Sequence, residues 1–309
     1  MNRTRLLAVF MFLFAGLLVC GAAAAQGKPY DLSKDIQYNE VKGRPMLVNI
    51  YKPNGQNANP FYKPGDAGKG LGLIDVISGG WNSSPGRENE HLQAGVFDIL
   101  CSGGYTVFAV RVGSLPDFNG LEITENLQYG IRWVKEHAAE YGVDPDRLGL
   151  MGASAGGHLS LLAMLRAVEG DPKAEDPVLR HGTQVRAVAA FFPPTNFLNW
   201  GGGPVSYSRE PSLMFTEGLD GKTEEDLRAR MEALSPALQA KPGMPPVFLI
   251  HGDSDPIVPL DQSEQMVAAL KEKGNEASLV VKKDGGHFWL TIPEEILLIR
   301  GWFDTHLAK

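Results

Sequence analysis

Cysteine is nearly absent from this chain, which has only Cys20 and Cys101 among its 309 residues. Cys20 lies in an N-terminal segment that we expect to be removed, so the remainder has one thiol and cannot form an internal disulfide. Stability must therefore come from a hydrophobic core. About 284 residues remain after removal, which is enough for one large core, and 43% hydrophobic residues is typical of a globular domain.

Positive charge is also scarce. The chain has 29 Lys and Arg against 36 Asp and Glu, a formal net charge of −7. Residues 1–25 contain two of the bases and none of the acids, so the charge of the remainder is −9. An acidic protein of this kind is a poor partner for nucleic acid or for an anionic membrane surface, and we expect it to bind neither.

A long apolar run occurs only at the N-terminus. Arg3 and Arg5 precede an apolar stretch at residues 6–19, and three alanines ending at Ala25 follow it. This arrangement is typical of a secretory signal peptide. We therefore predict cleavage near Ala25, a mature chain that starts near Gln26, and a secreted or periplasmic location.

Two alternatives to a cleaved signal stay open. A retained membrane anchor is one, but the run is shorter than the roughly 20 residues that a bilayer requires. A lipoprotein signal ending at Cys20 is the other, although the small residue that usually precedes a lipidated cysteine is missing. No later segment is expected to span a membrane.

Short apolar runs alternate with helical patterns over the rest of the chain. Residues 35–53 read first as two alternating strands joined at Lys42–Arg44, an antiparallel hairpin. The later runs, apolar on both faces, are Leu71–Ile77, Tyr105–Val110, Leu148–Met151, Val185–Phe192, Val247–Ile250 and Ser278–Val281. Helical periodicity covers residues 88–101, 122–140, 155–168, 261–273 and 293–307. This order predicts an α/β fold with a mostly parallel central sheet, helices on both faces and an N-terminal antiparallel hairpin.

One connection is unusually long. Within a single predicted domain at 26–309, residues 193–245 interrupt the alternation of strands and helices. Long connections in compact domains are more often functional than idle, so this segment is a candidate cap that carries Trp200 and Tyr207 toward a substrate. A surface excursion with its own small helices is the alternative.

A single serine is placed between small residues at the junction of a predicted strand and helix. In LGLMGASAGGHLSLL, residues 148–162, glycine and alanine flank Ser154 on each side. A Gly-x-Ser-x-Gly pattern in this context is typical of a nucleophile elbow, whose tight turn exposes the hydroxyl at a helix N-terminus. The pattern alone is weak in a chain with 36 glycines, and a turn with an incidental serine is the alternative.

An acid and a base follow the serine in the chain. A serine hydroxyl needs a base to take its proton, and the base needs an orienting acid. Asp255 is the preferred acid because it follows the strand Val247–Ile250 and prolines fix the exit of its loop; Asp253 is the alternative, with a turn role as its other interpretation. His287 follows the next strand behind two glycines and is the predicted base. The order serine, acid, histidine is the one that hydrolases with this elbow use.

The remaining histidines receive structural interpretations. His158, on the helix after the serine, is expected to pack or cap locally, and His251, at a strand end, to bond to backbone. No acid partner is evident for the other four, His91, His137, His181 and His306. No group of His, Cys and Asp has the spacing of metal ligands, so neither a metal nor another cofactor is predicted.

Donors for a developing oxyanion are predicted in two places. The strand 71–77 runs into Ser78-Gly79-Gly80-Trp81, where glycine lets the backbone approach a substrate. We expect the N–H groups of Gly79, Gly80 and Ala155 to converge on the negative oxygen. A plain Gly-Gly turn is the alternative.

These motifs resemble those of the α/β-hydrolase superfamily, and within it secreted bacterial carboxylesterases and feruloyl or acetyl esterases related to hormone-sensitive lipase. The matching segments are SGGW, GVDPDRLGLMGASAGGHLSLLAM, HGDSDPIVPL and GGHFW, within residues 45–305. The resemblance implies the α/β-hydrolase fold, with Ser154 as nucleophile, Asp255 as acid and His287 as base. Relatives often have His-Gly-Gly-Gly where this chain has Ile-Ser-Gly-Gly at 77–80, which changes the geometry expected for the oxyanion donors.

The predicted function is hydrolysis of carboxylic esters through an acyl-enzyme. Predicted export favours acyl or feruloyl esters of carbohydrates, or small soluble esters, as substrates. Trp81, Trp200 and Trp289 are candidate aromatic platforms for a sugar or phenolic ring, with core burial as the alternative for each. Two other functions stay open: a peptidase of the prolyl-oligopeptidase type, which usually carries a large accessory domain, and a non-catalytic hydrolase fold used for binding.

Overall fold

A computed structural model describes residues 27–56, 67–203 and 210–308. The predicted signal peptide and Tyr207 lie outside these residues. Among the helices in these ranges, none has both the length and the apolar character needed to cross a membrane.

One mixed sheet forms the centre of the described structure. Its strands are β1 (Tyr30–Val41), β2 (Arg44–Pro53), β3 (Gly72–Ile77), β4 (Thr106–Arg111), β5 (Leu148–Ala153), β6 (Ala187–Phe191), β7 (Val247–Gly252) and β8 (Ala277–Lys282). Their spatial order is β1-β2-β4-β3-β5-β6-β7-β8. β1, β2 and β4 pair antiparallel, and the strands from β4 to β8 pair parallel. The predicted hairpin and parallel sheet are thus confirmed.

Helices connect the parallel strands, as the alternation of patterns predicts. The described α-helices are α1 (Pro85–Gln93), α2 (Val96–Ser102), α3 (Gly120–His137), α4 (Ala155–Leu165), α5 (Pro211–Met214), α6 (Glu224–Leu234), α7 (Asp261–Glu272) and α8 (Ile292–Leu307). The single helix predicted at 88–101 is wrong, because Gly95 has a φ of 83° and separates α1 from α2. A left-handed residue ends the regular hydrogen bonding of a helix, and glycine accepts that conformation without strain.

Alternate residues of the strands feed two separate cores, one on each face of the sheet. On β3, Ile74 and Val76 belong to the core beneath α3, α4 and α7, whereas Leu73 and Ile77 belong to the core beneath α2 and α8. Side chains alternate between the faces of a strand, so a strand covered on both sides must be apolar throughout. Asp75 is the exception on β3, and its side chain is fully buried on the same face as Leu73.

The carboxyl ends of the parallel strands meet at one edge of the sheet, which places the loops after β3, β5, β7 and β8 side by side. The long connection at 193–245 contains α5 and α6, which contact α3. A third hydrophobic cluster joins this connection to α4 through Leu162, with Phe197, Leu213 and Met231 among its members. The segment therefore packs on the sheet domain beside the loops that carry the predicted catalytic residues.

The core beneath α8 offers a test of this packing. Phe303 has no exposed surface and touches β5 so closely that a Cβ on Gly149 would lie 2.7 Å from its ring. We expect Phe303→Ala to lower the free energy of unfolding by about 3–5 kcal/mol, because it leaves a cavity. Leu298→Ala, on the same helix but 49% exposed, is the matched control and should lower it by less than about 1 kcal/mol. Urea titrations give both values, and equal losses would contradict the assigned burial.

Candidate active site

The turn that carries Ser154 is sterically forced. Ser154 has a φ of 54° and a ψ of −120°, a conformation that L-residues rarely adopt, and it precedes the first turn of α4. A Cβ on Gly152 would lie 2.5 Å from the carbonyl carbon of Gly156, and a Cβ on Gly156 would lie 2.4 Å from the Val76 carbonyl oxygen. The small residues around Ser154 are therefore required by backbone crowding, as expected for an elbow between strand and helix.

Ser154, His287 and Asp255 form one hydrogen-bonded chain. The Ser154 Oγ is 3.0 Å from Nε2 of His287, and the Nδ1 of the same ring is 2.7 Å from Oδ2 of Asp255. Nδ1–H donates to the carboxylate, which leaves Nε2 as the acceptor that faces the serine. The structure thus brings together three residues that span more than 130 positions of the chain, from Ser154 to His287.

The Asp255 carboxylate is fully buried and almost completely satisfied. Its Oδ1 accepts from the N–H groups of Ile257 and Val258 at 2.8 and 3.0 Å, and Nε2 of His251 lies 3.4 Å from its Oδ2. Burial alone would raise the pKa of Asp255, but the hydrogen bonds from His251, His287 and the two N–H groups outweigh it and hold the pKa well below its usual range. The carboxylate is therefore ionised at neutral pH.

Asp253 has a different environment. It is exposed, and its Oδ1 accepts from the N–H of Asp284 at 2.7 Å and from the hydroxyl of Ser254 at 3.1 Å. These are the contacts of a turn residue, so the geometry favours Asp255 over Asp253 as the partner of His287.

The predicted oxyanion donors are only partly available. The N–H of Gly79 donates to the carbonyl of Asn82 at 3.1 Å, which corrects the expectation for Gly79: this group closes a turn. Within the described ranges, neither Gly80 nor Ala155 uses its N–H in a hydrogen bond to the protein. Gly80 has a φ of 57°, and Gly156 next to Ala155 donates to the Ser78 carbonyl, so the two loops are tied together at this point.

Ser154 and His287 open into a cavity of about 860 Å³, within the usual size range of small-molecule sites. Apart from Glu210, the cavity-lining side chains from the described residues of 193–245 are apolar, and we call these apolar residues the cap wall: Pro194, Phe197, Trp200, Leu213, Met214, Met231 and Leu234. On the other side, the α1 wall consists of Arg87, Glu90, His91, Gln93 and Ala94.

The three candidate tryptophans have different positions. Trp81 and Trp200 line the cavity, and each packs against Phe197 with ring centroids about 6 Å apart. The expectation for Trp289 is wrong, because its side chain is buried in the core and does not line the cavity. Its Nε1–H donates to Oε2 of Glu295 at 2.7 Å, so the polar atom of the buried ring has its hydrogen-bond partner inside the protein.

His158 connects three parts of the site, a role that its position on a helix did not indicate. The buried ring accepts a hydrogen bond at Nδ1 from the indole N–H of Trp81 (3.0 Å) and donates from Nε2 to the carbonyl of Leu234 (2.7 Å). Burial lowers the pKa of His158 to about 4, against the opposing effect of the bond to Leu234. The ring is therefore neutral at pH 7, and it links the α4 helix, the loop after β3 and Leu234 at the end of α6.

His91 has an acid partner that sequence interpretation missed. Its Nδ1 is 2.7 Å from Oδ2 of Asp75, the buried carboxylate on β3. An Asp inside an otherwise apolar strand is the signal that could have been recognised, because such a group must find a partner. No group of three or more His, Cys, Asp and Glu in the described part of the chain is arranged to hold a metal ion.

Comparison with known proteins extends these observations. The family model BD-FAE matches residues 61–270. Esterase LipQ of Mycobacterium tuberculosis is 28% identical over 249 residues, 78% of this chain and 53% of that protein. An acetylxylan esterase of Xylanibacter ruminicola is 26% identical over 220 residues, 71% of this chain and 41% of that protein. The chain spans about half the length of the curated relatives it matches.

Solved structures support the fold. A truncated carbohydrate esterase from gut microbiota superposes with a TM-score of 0.73 at 20% identity, covering 91% of this chain and 98% of that one. A thermophilic esterase from Thermogutta terrifontis with propionate bound gives a TM-score of 0.61 at 25% identity, covering 89% and 93%. Together with the family match, the esterase relatives and the sheet order, these likenesses confirm the resemblance to α/β-hydrolases related to hormone-sensitive lipase.

Acid is expected to destabilise the protein partly through His158. Since its pKa is about 4 in the folded protein and about 6.5 when unfolded, the unfolded chain binds more protons between these values, and stability must fall as the pH drops through this window. We expect the contribution to reach roughly 2–3 kcal/mol by pH 4.5. His158→Asn or His158→Gln should remove that part of the loss in urea unfolding at pH 7 and 4.5.

The control for this prediction is His181→Gln, which removes a partly exposed histidine paired with Glu136 at 2.7 Å. It should retain the full acid dependence of the parent protein. If the two His158 variants lose stability on acidification as steeply as the parent does, the prediction fails.

Proposed function

This chain belongs to the BD-FAE family, and we propose from its site that it is a serine carboxylic ester hydrolase. The observation that carries the proposal is the continuous chain of hydrogen bonds from Asp255 through His287 to the Ser154 hydroxyl, which opens into a large cavity. Relatives that are named esterases support the same reaction class.

The proposed reaction is acyl transfer in two steps. Nε2 of His287 takes the proton of the Ser154 hydroxyl as Oγ attacks the ester carbonyl, and the same ring then gives the proton to the leaving alcohol. Water repeats the sequence on the acyl-enzyme and releases the acid. Asp255 keeps the ring in the tautomer that accepts at Nε2, and it stabilises the imidazolium that forms during each step.

Negative charge on the substrate oxygen needs donors opposite the attacking serine. We assign this role to the N–H groups of Gly80 and Ala155, because Gly80 lines the cavity, Ala155 directly follows the cavity-lining Ser154, and neither N–H is used in a hydrogen bond among the described residues. Ala155 is also the first residue of α4, where the helix dipole favours negative charge. Each such donor is worth about 3–4 kcal/mol in the transition state.

Acyl or feruloyl esters of carbohydrates, or small soluble esters, are the proposed substrates. The acetylxylan esterase relative supports the first class, and the propionate-bound esterase structure supports short acyl groups. The aromatic side chains of Trp81 and Trp200 at the cavity surface suit a planar phenolic or sugar ring.

Two features of the chain complete the proposal. Residues 1–25 act as a cleaved signal peptide, so the enzyme works outside the cytoplasm on polymer-derived esters. Residues 193–245 act as a cap, since seven of their apolar side chains form one wall of the cavity. Mass spectrometry of the exported protein tests the first of these statements, and a start elsewhere than near Gln26 would contradict it.

The two neighbouring carboxylates give a matched test of the acid. We expect Asp255→Asn to lower kcat/KM on p-nitrophenyl acetate on the order of 10⁴-fold, because an amide cannot hold His287 in the required tautomer. Asp253→Asn retains the oxygen that accepts from Asp284 and should stay within about twofold of the parent. A comparable loss in both variants would reject the assignment of Asp255.

A substrate panel tests the reaction class. The parent protein should hydrolyse p-nitrophenyl acetate and butyrate, a feruloyl ester and acetylated xylan, and should not cleave a prolyl peptide. Ser154→Ala should reduce each activity to background, because the variant lacks the hydroxyl that forms the proposed acyl-enzyme. Cleavage of the peptide alone would favour the peptidase alternative, and inactivity of the folded parent on every substrate would favour a binding protein.

A further inference from the structure

We propose that the α1 wall is the subsite for the leaving alcohol, and that it recognises a hydroxyl-rich alcohol such as a sugar through Arg87, Glu90 and His91. This inference rests on the proposed ester hydrolysis and specifies which part of the substrate each side of the cavity receives. It starts from a polar group that the proposed catalytic steps do not use, the pair of Asp75 and His91.

The pair is built into the sheet rather than placed on its surface. The Asp75 side chain is fully buried in the central strand β3, where an ionised carboxylate without a partner would be strongly unfavourable. His91 supplies that partner from α1 at 2.7 Å, and the attraction of the carboxylate outweighs the effect of burial and raises the pKa of His91. Position 75 of β3, which could hold an aliphatic side chain, thus holds a carboxylate that fixes the imidazole ring of His91.

The orientation of that ring follows from its hydrogen bond. Since Nδ1 faces Asp75, Nε2 is the nitrogen on the opposite edge, and it makes no hydrogen bond to any described residue. The His91 side chain is 12% exposed, and it lines the cavity. A largely buried ring held from behind, with one nitrogen left available, is arranged to contact something that enters the cavity.

Neighbours on the same helix face extend the polar surface. Arg87, Glu90 and His91 are spaced at i, i+3 and i+4, so they lie on one side of α1, and all three line the cavity. Nη1 of Arg87 donates to Oε1 of Glu90 at 2.7 Å. The Arg87 chain also lies against the loop after β3, because a Cβ on Gly79 would be 2.9 Å from its Nε.

The balance of these groups favours hydroxyls over a charged ligand. The Arg87 charge is matched by Glu90, so the surface lacks the net positive charge that a carboxylate or phosphate would need. It offers N–H donors from Arg87, carboxylate acceptors from Glu90, and Nε2 of His91. A sugar hydroxyl both donates and accepts, and such a mixed surface can satisfy both.

The chemistry of the cap wall indicates where the acyl group of the substrate lies. In the described part of residues 193–245, the cap wall is apolar, and Glu210 is the one charged side chain that lines the cavity beside it. An ester spans Ser154 with its acyl group on one side of the carbonyl and its alcohol on the other. A polar alcohol would leave its hydroxyls unsatisfied against the cap wall, so the acyl group faces the cap and the alcohol faces α1.

The test compares two acetyl esters that give the same acyl-enzyme but differ in the alcohol: acetylated xylobiose and p-nitrophenyl acetate. The measured quantity is the ratio of their kcat/KM values, which reports acylation alone. We expect His91→Phe and Arg87→Met each to lower this ratio about threefold to tenfold, through a raised KM for the sugar ester. His91→Gln, which keeps a polar atom near the position of Nε2, should recover part of the loss.

His181→Gln is the matched control, because it alters another histidine–carboxylate pair that lies outside the cavity lining, and its ratio should equal that of the parent. His91→Phe removes the partner of the buried Asp75 and could therefore disturb the fold. Arg87 is partly exposed, so Arg87→Met tests the α1 wall without that effect. If the parent hydrolyses both esters and neither His91→Phe nor Arg87→Met moves the ratio by more than twofold, the inference is overturned while the proposed function stands. If the folded parent hydrolyses neither ester, the proposed function is overturned and the subsite assignment with it.

Discussion

Crowding between backbone atoms at one turn determines the arrangement of the whole site. Gly156 passes so close to Val76 that its Cα has no room for a side chain, and its N–H donates to the Ser78 carbonyl at the end of the same strand. The turn that carries Ser154 and the loop that carries Gly80 are therefore held against each other. The distance between the Ser154 hydroxyl and the N–H groups proposed as oxyanion donors is therefore set by covalent geometry and close packing, which a flexible loop could not provide.

The second requirement is that groups far apart in the chain reach this unit. Parallel strands solve the problem because their carboxyl ends share one edge, so Asp255 and His287 need only short loops after β7 and β8. Each loop is then fixed by its own contacts: Asp255 by two N–H groups and His251, and His287 by its bond to Asp255. Because these contacts fix both loops, Oγ of Ser154 lies 3.0 Å from Nε2 of His287 without a bound substrate.

Sequence patterns were sufficient for the strands and for the geometry of Ser154, His287 and Asp255, but not for contacts between elements. Buried strands are continuous apolar runs, and the elbow has a local steric signature, so both could be recognised from neighbouring residues. The break at Gly95 was missed because the helical periodicity continues across it. His91 was given no partner because Asp75 is 16 positions away on a different element, and their contact depends on which face of β3 meets α1. The position of Trp289 could not be predicted for the same reason, because the burial of its side chain depends on which other elements pack against it.

The distribution of unusual backbone conformations links the fold to its use. Of the non-glycine residues with positive φ in the described ranges, Trp81, Ser154 and Phe192 all line the cavity. Such conformations cost on the order of 1–3 kcal/mol each and persist only where the surroundings impose them. Each is held by bonds at or beside it: the Trp81 indole bonds to His158, the Ser154 N–H to Phe191, and the Phe192 N–H to Ile250. The strands and α4 therefore stabilise these strained conformations. Because His158 bonds to both Trp81 and Leu234, a shift of Leu234 would be transmitted to Trp81, next to Gly80.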